Sequence, residues 1–322
     1  MAKNNNNLHT AKVSKNDEFY TQLSDIEKEM RYYKDFFKGK VVYCNCDDAR
    51  ESNFFKYFSM NFEHLGLKKL ISTGYKENGK GVILIYEGDK NNNRKVDDEE
   101  VVVTELNGNG DFRSEECIEY LKMADVVVTN PPFSLFREYV KQLMDYNKKF
   151  IIIGNQNAIT YKEIFPYIKN NQLWLGAKGI GDMSFIVPNN YEMRETRSWK
   201  DENGVNWRSL GNACWFTNIE HKKRNEELDL YKKYNPTEFP KYDNYDAIEV
   251  SRVENIPMDY NGVMGVPITF LGKYNPTQFE IIDINPHFFC MLEQGLPKPK
   301  QLSLKNVGKK DPYARVLIKK VF

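Results

Sequence analysis

Soft metal ligands are scarce in this chain of 322 residues, and long apolar runs are missing. The five cysteines, Cys44, Cys46, Cys117, Cys214 and Cys290, contain no CxxC pair and no disulfide-like spacing, and the four histidines are scattered. No metal site is expected from them, and the thiols are expected to be reduced. No stretch approaches ~18 apolar residues and no apolar h-region follows the first residues, so neither a membrane span nor secretion is expected and the chain reads as cytoplasmic. Repeats are lacking too: KYNPT occurs at Lys233 and Lys273, without a solenoid period. Net charge is almost absent, with 46 Lys and Arg against 45 Asp and Glu. That balance neither indicates nor excludes an anionic partner.

The neutral total hides two poles. Between Lys298 and Lys320 eight basic residues face Asp311 alone, a local charge of +7. Between Asp97 and Asp125 ten acidic residues face Arg113 and Lys122, a local charge of −8. Solvated faces account for such poles as readily as binding does, while a nucleic-acid surface is the sharper reading of the basic end.

What is present is an alternation of short apolar runs with helical patterns. KVVYCNC, KKLISTGY, DVVVT and KFIIIGN have apolar centres without polar alternation, and NFFKYFSMNFEHLG, CIEYLKMA and LFREYVKQLMDY carry helical spacing. The pattern predicts an α/β chain whose mostly parallel sheet is covered on both faces, with ligand sites at the carboxyl ends of strands. Residues 1–15 read as a mobile polar arm. Residues 75–107 read as a β-hairpin with a polar tip inserted into the α/β core. After Gly176 short strands flank a polar segment, and beyond about His221 the text is rich in Pro and Tyr.

One strand ends unusually. In VVVTNPPFS, residues 126–134, two prolines fix the backbone and remove donors. The corner can present two acceptors, the Asn130 side-chain oxygen and the Pro131 carbonyl, with the Phe133 ring beside them. Such a pair suits a planar amine that must become tetrahedral to act as a nucleophile, because both acceptors stabilise charge that grows only in the transition state. No Ser/His/Asp or Cys/His set offers a rival chemistry. A plain turn with a core Phe is the alternative.

NPPF resembles the catalytic motif of N6-adenine methyltransferases, and related motifs serve glutamine and guanine amino groups. Longer likeness runs through VVYCNCDD, SNFFKYF, GLKKLI, VVVTNPPFSLFREYV, NAITYKEIFP, FPKYDNYDAI and NGVMGVPITFL. On these stretches the chain is similar to the EcoRI-type DNA adenine methyltransferases over nearly its whole length.

The resemblance implies a Rossmann-like class I methyltransferase fold at 16–220, a C-terminal target-recognition region at 221–322, and S-adenosyl-L-methionine as cofactor. It implies a monomer acting on double-stranded DNA at a short palindrome such as GAATTC, with the adenine flipped out. Asn130, Pro131, Pro132 and Phe133 take the catalytic place. DEFYTQ offers Phe19 and Tyr20 to the methionine part of the cofactor, and GNGDFRS offers Asp111 and Phe112 to its adenine. The loop after the first core strand, YCNCDDARESNFF, has none of the usual glycines, which leaves Asn45, Asp47 and Asp48 as candidate cofactor contacts. Arg194, Arg197, Asn203, Asn206 and Arg208 are candidate base readers, with a solvated hairpin as the alternative. Two other readings stay open: an RNA or protein-glutamine methyltransferase using the same corner, and a non-catalytic nucleic-acid-binding relative.

Overall fold

The computed structural model describes residues 20–46, 48–187, 193, 195–297, 299–308 and 310–321; the arm 1–15, Phe19, Asp47 and Arg194 lie outside them. The chain divides into two units. One holds the residues up to Gln156 together with Ile180–Ile219, and the other holds Asn157–Gly179 together with Glu220 onward.

The first unit is built on a mixed sheet. Its strands are β1 (Tyr20–Thr21), β2 (Val41–Cys44), β3 (Lys69–Gly74), β4 (Val82–Tyr86), β5 (Val101–Glu105), β6 (Val126–Thr129), β7 (Lys149–Asn155), β8 (Trp174–Ile186, of which residues 174–179 belong to the second unit), β9 (Ser198–Lys200) and β10 (Asn206–Thr217). They lie in the order β1-β8-β10-β7-β6-β2-β3-β4-β5, with β9 paired to β10. The centre is parallel, β7-β6-β2-β3, with Val42 opposite Val126 and Val126 opposite Lys149. Strands β10 and β4 run antiparallel on either side of it.

Burial explains the composition of the central strands. Val126, Val127 and Val128 are wholly buried, as are Ile151, Ile152 and Ile153, so both faces of each strand must be apolar. The flanking helices are α1 (Leu23–Met30), α2 (Asn53–Met60), α3 (Phe62–Leu65), α4 (Glu115–Met123) and α5 (Phe136–Asp145). Ser52 caps α2 by accepting from Phe54 N, and Ser114 caps α4 by accepting from Cys117 N, both at 3.2 Å. Helix α5 buries Phe136, Tyr139, Val140 and Leu143, an i, i+3, i+4, i+7 stripe. Its first turn sits directly on β7 because residue 154 is glycine: a Cβ there would lie 2.4 Å from the Phe136 ring. Burying one such aromatic is worth ~1.5–3 kcal/mol.

The hairpin expected between 75 and 107 is β4 and β5. It extends the sheet at the β3 edge instead of standing apart from it, because β4 pairs along β3 from Leu70 to Gly74. On the outermost strand, Val102 and Val103 are exposed. The polar segment after β8 returns through β9 to β10, where Trp199 stacks on Trp207 across the pair at 6.0 Å.

The second unit contains the sheet β11 (Ile248–Glu249), β12 (Met264–Pro267), β14 (Arg315–Lys320) and β13 (Phe279–Asn285), in that spatial order, with the short helices α6 (Phe165–Lys169) and α7 (Phe289–Glu293). Arg315 belongs to the basic pole by sequence, yet its guanidinium is spent on Glu249 at 2.7 Å, and Tyr242 donates to the same carboxylate. With its side chain only 14% exposed, Arg315 braces β14 and offers little to a phosphate. Among the described residues no helix is long and apolar enough to cross a membrane.

Candidate active site

Strand β6 delivers the corner. Thr129 is its last residue, Asn130 is 8% exposed, Pro131 is buried, and Pro132 and Phe133 are half-buried. A 3-10 turn, Phe133–Leu135, follows, closed by Leu135 N donating to the Pro132 carbonyl at 2.9 Å, and α5 starts at once. Phe133 packs along the edge of the main core, so one part of its ring is fixed while the residue keeps solvent access.

The loop after β2 is tied to that corner from two directions. The Thr129 hydroxyl donates to the Asn45 carbonyl, and the Tyr139 hydroxyl, three residues into α5, donates to the Asn45 side-chain oxygen. Asn45 is 4% exposed. Beyond it Cys46 adopts φ 67°, the left-handed region that usually calls for glycine. Asp48 then folds the loop into α2, accepting from Arg50 N at 2.9 Å and Glu51 N at 3.2 Å. A loop without glycine is therefore shaped by side chains.

The turn after β5 joins the same network. The Phe112 ring meets the Tyr139 ring edge-on with centroids 5.0 Å apart, and Gln142 Nε2 donates to the Phe112 carbonyl at 3.1 Å. Here glycine is required: Gly110 has φ 81°, and a Cβ on it would lie 2.3 Å from the Gly74 carbonyl oxygen at the end of β3. Asp111 is gripped by Arg113 through Nε at 2.8 Å and Nη2 at 2.6 Å. That guanidinium holds the Asp111 carboxyl below the usual carboxylate range. Burial pushes the Tyr139 phenol well up, so it stays a donor.

Tyr20 comes in from the far edge of the sheet. Its strand pairs with β8, and the next carbonyl, that of Thr21, accepts from Asn53 Nδ2 at 2.7 Å. Asn53 opens α2 at the end of the glycine-free loop, so Tyr20 is anchored beside that loop. Phe19 and Asp47 lie outside the described residues. Of the candidate base readers, Arg197 and Asn203 are exposed. Arg208 and Asn206 are buried instead, at 7% and 5%, and Arg208 holds the hairpin by donating to the Thr196 carbonyl at 2.6 Å and to Ser198 Oγ at 3.1 Å.

Tyr139 and Gln142 were not singled out in the sequence. Tyr139 falls on the apolar stripe of α5, where it reads as one more core aromatic, and nothing local marks its hydroxyl as a contact to residue 45.

The profile of the family described as adenine-specific methyltransferase EcoRI matches residues 7–321. The chain belongs to this family. It is 52% identical to the type II methyltransferase M.EcoRI of Escherichia coli over 99% of this chain and 98% of that one. It is also 40% identical to the type II methyltransferase M.MgeORF184P of Mycoplasma genitalium, over 97% of this chain and 98% of that one, and 38% identical to the type II methyltransferase M.MpnI of Mycoplasma pneumoniae, over 97% of each.

Methyltransferases of the EcoRI methylase family take their methyl group from S-adenosylmethionine. The residues present suit that donor. Asp111, with its side chain 25% exposed, is an anionic acceptor for an amine, and it adjoins the aromatic face of Phe112. Both stand at the carboxyl-end side of the sheet, joined through Tyr139 to Asn45 and, through Asn45 and Thr129, to the corner.

Proposed function

We propose that the chain is a site-specific DNA adenine N6-methyltransferase of the restriction-modification type. The observation that carries this reading is the node at Asn45. Through Thr129 and Tyr139 it brings the NPPF corner and the Asp111–Phe112 turn, far apart in sequence, into one hydrogen-bonded and packed set.

In this reading residues 16–220 form the Rossmann-like methyltransferase part and residues 221–322 the target-recognition region. The protein acts as a monomer on double-stranded DNA. An adenine swings out of the duplex, because a paired base cannot reach a corner sealed between strand and helix. The Asn130 side-chain oxygen and the Pro131 carbonyl accept the two hydrogens of the exocyclic amine, and Phe133 stacks on the ring. As the nitrogen attacks, its hydrogens become more acidic and both contacts strengthen, which is transition-state binding with no prior base needed. S-adenosylmethionine, when bound, would supply the electrophilic methyl on its sulfonium: its S–C bond would break as the N–C bond forms, leaving the neutral thioether, and the methylated nitrogen would then lose one proton to water. Asp111 would accept from the cofactor's adenine amine and Phe112 would pack on that ring. Phe19 and Tyr20 are assigned to the methionine part of the cofactor, and Asn45 and Asp47 to its contacts with the glycine-free loop. With its side-chain oxygen given to Tyr139, Asn45 serves mainly as the brace of that loop. Arg197 and Asn203 remain as exposed candidates for reading base edges.

The test is methyl transfer from labelled cofactor to duplex DNA, to RNA and to glutamine-bearing protein in parallel. Label is expected in DNA alone, as N6-methyladenine at one short sequence. Label in RNA or protein, or none in DNA, overturns the proposal.

A further inference from the structure

One guanidinium makes both of the contacts assigned above to the cofactor's adenine. Arg113 forks onto Asp111, with Nε donating to Oδ1 at 2.8 Å and Nη2 donating to Oδ2 at 2.6 Å. Its central carbon also lies over the Phe112 ring, 5.3 Å from the centroid, within cation–π range. A flat group that covers Phe112 while giving N–H to the Asp111 carboxylate has the two features by which an adenine with its exocyclic amine would be held. Phe112 is only 6% exposed, so little of its ring is open to a base while the guanidinium stays.

The two oxygens of Asp111 are held differently. Oδ1 also accepts from the backbone N–H of Arg113 at 2.9 Å, a contact that does not depend on where the side chain lies. Among the described residues Oδ2 accepts from the guanidinium alone. Departure of the guanidinium therefore frees Oδ2 for an amine and leaves Oδ1 anchored, which keeps the carboxylate aimed. The rest of the turn is fixed. Asp111 N donates to Asn109 Oδ1 at 3.1 Å, Ser114 N donates to the Asp111 carbonyl at 2.9 Å, and Gln142 holds the Phe112 carbonyl. The Arg113 side chain, 46% exposed, is the part free to swing.

A second carboxylate stands within reach. Arg113 Nη1 lies 3.5 Å from each carboxylate oxygen of Glu138, in the first turn of α5, and the Glu138 side chain is 53% exposed. At that distance the contact is weak, and a small rotation of the guanidinium away from Asp111 would shorten it. The move exchanges one carboxylate for another, so the cation stays paired throughout.

We propose that Arg113 is a positioning residue that competes with the cofactor's adenine for Asp111 and Phe112, and that Glu138 takes up the guanidinium as the adenine enters. This rests on the assignment of Asp111 and Phe112 to that adenine. Seating of Arg113 lowers the fraction of chains competent to bind, and the apparent affinity for the cofactor falls by the same fraction.

The test is calorimetric titration of the full chain with S-adenosylhomocysteine, which carries the adenosine without the sulfonium charge, so that loss of a cation does not by itself favour it. With the guanidinium seated about nine-tenths of the time, Arg113→Ala should bind about 10-fold more tightly. Glu138→Gln should bind ~3-fold more weakly, since an exposed partner is lost. That loss should vanish when Arg113→Ala is added, because Glu138 acts only through the guanidinium. Weaker or unchanged binding by Arg113→Ala, or a Glu138 effect that survives in the double variant, overturns the competition. Asp111→Ala separates this from the assignment beneath it, with binding expected to weaken ~10-fold or more. Parent-like binding by Asp111→Ala removes the adenine from this turn altogether; weak binding by it, with no gain in Arg113→Ala, removes the competition alone.

Discussion

Strands β2 and β6 are neighbours of four residues each, buried on both faces, and each ends in a turn at the same side of the sheet. The turns are made by opposite means. After β6 two prolines stiffen the chain through their own covalent geometry. After β2 there is neither proline nor glycine: the backbone takes a left-handed step at Cys46 and is held by Thr129 and Tyr139, 84 and 94 residues away from Asn45. A turn that must aim acceptors at a reacting atom gains from local rigidity, while a turn that must fit a ligand can be shaped by what packs around it. If the two differ in this way, changes in the β6 turn should act mainly on turnover and changes in the β2 turn mainly on cofactor affinity and stability.

The largest expected effect lies at the corner. Asn130→Ala should lower kcat by ~100-fold or more with cofactor affinity within a few-fold. A variant methylating DNA at close to the parent rate would remove the corner from the chemistry. Phe133→Ala comes next, with a loss of ~1–3 kcal/mol, the range of base–aromatic stacking. Phe133→Trp should keep most activity, and a fluorescent adenine analogue at the target should report less extrusion in the alanine variant. Full rescue by leucine would make Phe133 a core residue only.

On the β2 side, Tyr139→Phe leaves the buried Asn45 side-chain oxygen without its phenolic donor. Stability should fall by ~1–3 kcal/mol in urea unfolding, and KM for the cofactor should rise while kcat changes less. A fall in kcat with cofactor KM unchanged would blur the contrast between the two turns. Asp111 predicts a pH signature. Its folded carboxyl is held below its usual value by Arg113, so its contribution is present above about pH 4 and is lost as pH falls through the folded value. The melting-temperature gap between the parent and Asp111→Asn should therefore shrink as pH falls below about 4; a gap of constant size down to pH 2 contradicts the pairing. The smallest effect is expected at Cys46→Gly. Relief of a left-handed residue, ~1–2 kcal/mol, is nearly offset by the entropy of glycine, ~0.5–1 kcal/mol, leaving a slight gain in melting temperature. Cys46→Val should lose stability, and equal behaviour of the two variants would mean that the step at residue 46 carries no strain.

The sequence by itself determined what is short-range. Proline geometry and a β-branched run mark the Asn130 corner, apolar periodicity marks α5 and the central strands, and word-for-word likeness marks the family. Only the tertiary structure decided that Tyr139 holds Asn45, that β4 and β5 continue the sheet, that Arg208 is walled into a hairpin, and that Arg315 is spent on Glu249. The reason is the same in each case. A side chain's chemical type is written at its own position, while its burial and its partner are set by residues tens of positions away, and one helical turn of α5 carries a core aromatic and a hydrogen-bond donor in the same letter.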